Sequence, residues 1–201
     1  MKNLKNLIAI AAFLGTAIVA NAQVKFGVDA EIGVSTNKWE EDWDDDDSES
    51  GSESGFGWNV GVFADIPAGS LVVQPGFQFG GKMSKEGDWS TNNIGIEVPV
   101  LVGYPISLGG SGLKLRPELG PVFGVDISWK EKYDGKKYDN DYSEDDDLKR
   151  FRLGLKYGAM LEINEHFAVG LHEDLGLNDQ DDSDYYKTRW HFFGARVAFT
   201  F

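Results

Sequence analysis

The chain has 201 residues with 19 Lys plus Arg, 33 Asp plus Glu and a formal net charge of −14, a balance that argues against binding the phosphate backbone of a nucleic acid. It has no cysteine, which excludes disulfide scaffolds, thiolate metal sites, Cys nucleophiles and lipid attachment through Cys. Apolar residues make up 41 % and aromatics 13 %, too many for a wholly disordered chain.

The first predicted element is a secretory signal over 1–22. Lys2 and Lys5 form a basic start, 7–19 is a 13-residue apolar run, and Ala20-Asn21-Ala22 supplies the small residues a signal peptidase reads. Thirteen apolar residues are too few to cross about 30 Å of hydrocarbon. Cleavage before Gln23 gives a mature domain of 23–201 with a net charge of −16 once Lys2 and Lys5 are gone.

Apolar residues then recur with period two along the whole mature chain. The pattern predicts eight strands, at about 24–35, 55–66, 71–82, 93–106, 113–127, 150–163, 167–177 and 189–201. The connections alternate. Short ones fall at 67–70, 107–112 and 164–166, and long ones at 36–54, 83–92, 128–149 and 178–188. Short turns at one end and long loops at the other are the pattern of an eight-stranded, antiparallel, up-and-down transmembrane β-barrel, with the short turns and both termini on the periplasmic side.

The two faces of the strands point the same way. One is nearly all apolar, for example Phe26, Val28, Ala30, Ile32 and Val34 on the first strand and Phe151, Leu153, Leu155, Tyr157, Ala159, Leu161 and Ile163 on the sixth; Glu173 is the one acid in that phase. The other face carries glycine and charge. Its cations are Lys25, Lys82, Lys114, Arg116, Arg150, Arg152, Lys156 and Arg196, and its anions are Asp29, Glu31, Asp65, Glu97, Glu118, Asp126, Glu162 and Asp174. Eight against eight is what a salt-bridged lumen needs, because a buried charge must be paired. A soluble lipocalin-like barrel has the opposite polarity, and a two-sheet sandwich would bury one face and wet the other.

The same residues resemble the outer-membrane protein beta-barrel domain family of Gram-negative bacteria, also called PorT-like. Ile96-Glu97-Val98-Pro99-Val100-Leu101-Val102-Gly103-Tyr104 is similar to the family's L-E-I-P-L-L-L-K-Y strand. LKLRPELGPVF at 113–123 is similar to its K-P-Y-V-G-A-G-P strand, and LHEDLGL at 171–177 is a weaker form of L-R-Y-X-Y-G-L. The ending with Phe199 and Phe201, with Ala195 and Val197 in phase, is similar to the signal read by the barrel assembly machinery. The resemblance implies a barrel in the outer membrane, with membrane lipid and that machinery as partners, and it carries no catalytic residues.

The excess acid sits in the four predicted loops; 36–54, 83–92, 128–148 and 178–187 hold 23 acids against seven bases: Lys38, Lys85, Lys130, Lys132, Lys136, Lys137 and Lys187. Acidic, Ser/Gly-rich loops are ordinarily solvated. Clustered carboxylates are also hard ligands, so weak Ca²⁺ contacts are a second reading for Asp44, Asp45, Asp46, Asp47, Asp139, Asp141, Asp145 and Asp147. The Asp139-x-Asp141-x-Ser143-x-Asp145 spacing fails as an EF-hand loop, because Glu144 stands in place of Gly and Arg150 in place of Glu.

Catalytic motifs are sparse. Of the three histidines, His172 points inward with Asp174 on the same face. Such a pair can orient a base, although it belongs more naturally to the luminal charges. The sequence therefore favours a structural or interactive barrel with no catalysis. A narrow pore for ions or small solutes comes second and a barrel-embedded lipid or peptide hydrolase third.

Overall fold

A computed structural model describes residues 24–44, 47–109, 112–134, 136–140, 150–180 and 186–201; the predicted signal segment lies outside them. The long strands are β1 (Lys25–Asp44), β2 (Asp47–Ala68), β3 (Leu71–Glu86), β4 (Trp89–Gly103), β6 (Lys114–Tyr133), β8 (Phe151–Glu162), β9 (Phe167–Gly176) and β10 (Tyr186–Thr200). Two short segments, β5 (Ile106–Ser107) and β7 (Lys136–Asn140), add to β6. Every pairing is antiparallel between ring neighbours. The β4–β6 and β1–β10 pairings close the sheet into a ring of eight strands.

Period-two alternation dictates which face each residue takes. On β6 exposed and buried residues alternate from Leu115 to Ile127. Outward side chains are apolar and exposed, Phe26 at 62 % and Leu171 at 55 %. Inward ones are polar and buried, among them Glu31, Asp126 and Lys156. That inversion of the usual protein suits a barrel whose outside meets lipid. Among the described residues no helix is long and apolar enough to cross a membrane, and the strands carry the apolar surface. Glu173 lies on the outward face beside Phe193 and Tyr157 in the ladder, and the Tyr157 hydroxyl donates to its Oε2 at 2.5 Å.

At one end the turns are tight. Gly69, with φ of 68°, joins β2 to β3 in the left-handed region that glycine enters without strain. At the other end the strands run beyond the predicted boundaries. The segments read as long acidic loops at 36–54 and 83–92 are ladder instead. Glu41 pairs with Glu49 and Asp44 with Asp47, and the β3–β4 hairpin turns at Gly87 and Asp88 after Glu86 pairs with Trp89. β6 likewise continues to Tyr133 and turns at Asp134 into β7. Hydrophobic alternation marks only the part of a strand that meets lipid. Above it the outward face is polar and the buried inward face is largely polar too, as at Ser84, Thr91 and Thr188, so the hydrogen-bonded ladder continues with no apolar alternation to announce it.

Candidate functional site: the charged lumen

The inward phase of all eight long strands converges on the barrel axis, and its charges assemble in three tiers. Nearest the tight turns, Arg116 on β6 reaches across the ring. Its Nη1 lies 3.1 Å from both Asp65 Oδ2 and Glu162 Oε1, and its Nε 3.2 Å from Glu118 Oε2. The Arg116 side chain lies across Gly103 of β4, where a Cβ would stand 2.8 Å from its Cγ and Cδ. Gln74 donates to the second Asp65 oxygen at 2.6 Å.

The middle tier is centred on Arg196 and Lys156, both buried. Arg196 donates through Nε to Asp29 Oδ2 at 2.8 Å, through Nη1 to Glu118 Oε1 at 3.0 Å and through Nη2 to Gln74 Oε1 at 2.9 Å. Its guanidinium carbon stands 5.5 Å from the Phe63 ring centre. Lys156 donates to Glu31 Oε2 at 2.9 Å and to Gln78 Oε1 at 3.4 Å, with Asp174 Oδ2 also at 3.4 Å. The His172 ring bridges two glutamates, with Nε2 at 2.5 Å from Glu118 Oε1 and Nδ1 at 3.5 Å from Glu31 Oε1.

In the third tier Lys82 and Arg152 share Glu97, at 2.8 and 2.7 Å, and Arg152 Nε lies 2.7 Å from Asp126 Oδ1. Gln180, just before β10, donates to Asp126 Oδ2. Arg152 has room because Gly95 faces it, where a Cβ would lie 2.8 Å from its Nη2.

Asp29, Glu31, Asp65, Lys82, Glu97, Arg116, Glu118, Asp126, Arg152, Lys156, Glu162, Asp174 and Arg196 thus all take part in luminal ion pairs. Lys25 and Lys114 do not sit among them. Both share the inward phase, but they stand at the tight-turn mouth and are exposed, as is Arg150 at the start of β8. Phase fixes which face a residue takes and not its height, so an inward residue at a strand end meets water. The even match of charges gives way to five buried cations against eight carboxyls. Neutral amides, together with His172, fill the difference. Asn59, Gln74, Gln78 and Gln180 all donate to carboxylates. These amides escaped notice in the sequence, although Gln74 and Gln78 share the even phase of Lys82 on β3.

Apolar residues close the tight-turn end. Phe63, Met160, Ala168 and Ala198 form a small buried cluster inside the ring. Below it a vestibule of about 530 Å³ opens to solvent between Lys25, Asp65, Lys114, Arg116 and Glu162. At the other end a cavity of about 30 Å³ remains among Lys82, Glu97, Arg152, Asp174 and Trp190. The Arg196 and Lys156 tier lies between the two.

The His172–Asp174 pair is not formed, since His172 faces Glu118 and Glu31 while Asp174 faces Lys156. Of the candidate cation ligands, Asp45, Asp46, Asp141, Asp145 and Asp147 lie outside the described residues. Asp44 and Asp47 pair at the hairpin tip, and Asp139 on β7 stands opposite Lys130. Among the described residues no group of three or more His, Asp or Glu is placed to hold a metal ion. Phe199 and Phe201 end the chain beside Phe167 in edge-to-face contacts, and the Phe201 N–H donates to Phe26 O at 2.9 Å.

The comparisons agree with this geometry. Residues 20–182 match the family model described as outer membrane protein beta-barrel domain. No curated protein matches the chain. Among solved structures, Neisserial surface protein A superposes with a TM-score of 0.57 at 13 % identity, covering 88 % of this chain and 97 % of that one. The outer membrane enzyme PagL gives 0.50 at 13 % identity, covering 86 % and 97 %. A major outer membrane protein from Thermus thermophilus gives 0.49 at 15 % identity, covering 89 % and 99 %. At these identities the first two share the fold alone.

Proposed function

Because the chain belongs to the outer membrane protein beta-barrel domain family and sits in the outer membrane of a Gram-negative bacterium, we propose that it works as a closed barrel, a membrane-anchored scaffold that holds its extended strands outside the cell for interaction. The observation that carries this reading is the filled lumen. An eight-stranded barrel is only wide enough for its own side chains. Here Arg196, Lys156, His172, Glu31 and Glu118 are all buried across its middle. Each is held by at least two ion pairs or hydrogen bonds, so opening a path would break several at once.

A hydrolase on this barrel would need a base aimed at a nucleophile. The one luminal histidine is instead clamped between two glutamates. The scaffold reading predicts that the refolded, heat-modifiable protein is silent in a planar bilayer. A steady single-channel current, altered by Arg152→Ala or Glu97→Ala, would replace the scaffold with a pore.

A further inference from the structure

Most of the bases inside the acidic segments share one face. Above the lipid band, Lys38 on β1, Lys85 on β3, Lys130 and Lys132 on β6, and Lys187 and Arg189 on β10 all occupy the outward register phase. Two carboxylates at that height take the inward register phase, while Glu40 on β1 shares the outward one. Glu53 accepts from the buried Ser84 at 3.0 Å, and Glu131 accepts from the buried Trp129 indole at 2.9 Å. The outward lysines put positive charge where the barrel wall leaves the membrane.

The β3–β4–β6 wall carries it furthest. Lys85 stands opposite Ser90, and Ser90 opposite Lys132, so two lysines lie on one line across three strands. Lys130 stands one pair lower, opposite Asn92 on one side and Asp139 of β7 on the other. Immediately below, the outward positions turn apolar at Met83 and Ile94. Phe56, Met83, Lys85, Lys130 and Lys132, with the single carboxylate Glu131, line an open groove of about 610 Å³. Phe56 and Met83 are 51 % and 36 % exposed, apolar surface continuous with the lipid band.

We propose that this wall is a binding site for a phosphorylated lipid of the outer leaflet. Its headgroup phosphates are held by Lys85, Lys130 and Lys132, and its acyl chains lie against Phe56 and Met83. The pairing of cations above with an apolar wall below fits an amphiphile better than a soluble anion, which would leave Phe56 and Met83 in water. The short turns mark the periplasmic end, so the groove opens at the outer surface. The site does not depend on the lumen being closed.

The test reconstitutes the full barrel into phosphatidylcholine nanodiscs doped with bis-phosphorylated lipid A. It measures the lipid A retained per barrel after extraction in a zwitterionic detergent. The Lys85→Gln/Lys130→Gln/Lys132→Gln variant should retain at least about tenfold less, since each surface lysine contributes appreciably to holding anionic lipid. The corresponding triple Arg variant should retain the wild-type amount. Lys25→Gln/Lys114→Gln, which removes charge at the periplasmic mouth, should also leave it unchanged. Heat-modifiable migration on gels certifies that each variant is folded. Equal retention by the folded triple Gln variant overturns the proposal, and so does equal retention of lipid A stripped of its phosphates. If soluble tripolyphosphate displaces lipid A fully, the wall is a site for soluble polyanions and the lipid assignment fails.

Discussion

Lys156 is the residue on which most of the interior depends. Its ammonium is fully buried and is the shared partner of Glu31, Gln78 and Asp174. Removing one member of a buried charge pair leaves the others uncompensated, at a cost of about 3–5 kcal/mol. Lys156→Met keeps much of the side-chain volume but not the charge, so it should lower the unfolding free energy by about that amount in a urea titration followed by tryptophan fluorescence. A loss under about 1 kcal/mol would mean that water or a neighbouring cation reaches the site. The sequence placed Lys156, Glu31 and Asp174 on one face, since period two fixes the face. It could not show that Asp174 belongs to Lys156 rather than to His172 two residues away. That choice is made by the β8–β9 register, in which Lys156 stands opposite Asp174 and Gly158 opposite His172.

At the scale of the element, the strand extensions show why alternation reads a barrel well in the membrane and badly outside it. Six apolar positions in phase announce β1 from Val24 to Val34. From Thr36 to Asp44 the same strand offers no apolar alternation, because no lipid waits outside and its inward position Asn37 is polar. The outward sorting of Lys38, Lys85, Lys130 and Lys132 was illegible for the same reason, since a segment read as loop has no phase. What holds the β1–β2 extension is its ladder and local packing, such as the Trp39 ring over Gly51, where a Cβ would come within 2.5 Å of the indole. It adds nothing to the lipid-facing band or the luminal tiers. Replacing 39–51 with an Asn-Gly turn should therefore leave a heat-modifiable barrel, with a smaller shift in the urea midpoint than Lys156→Met. Failure to fold would show that the extension, which also pairs with the start of β10, nucleates closure of the ring.

The whole molecule is closed by its side chains, because a ring of eight strands leaves little free width once its inward side chains are in place. The backbone fixes the radius, and the three tiers decide whether anything passes. The distinction can be tested by deleting opposite charges together, which opens space without stranding a buried ion. Arg196 and Asp29 are such a pair, joined at 2.8 Å between β10 and β1 and lying between the periplasmic vestibule and the Lys156 cluster. Arg196→Ala/Asp29→Ala empties the span from Gln74 to Gln78 and leaves Glu118 with His172 and Arg116 as partners. The vestibule should then extend inward, and the folded double variant should pass a small, steady, ohmic current in a planar bilayer where the unaltered barrel passes none. Silence from a folded double variant would locate the seal higher, at Lys156 and Arg152. The next pair to remove would then be Arg152 with Asp126, which stands against the last cavity before the outside.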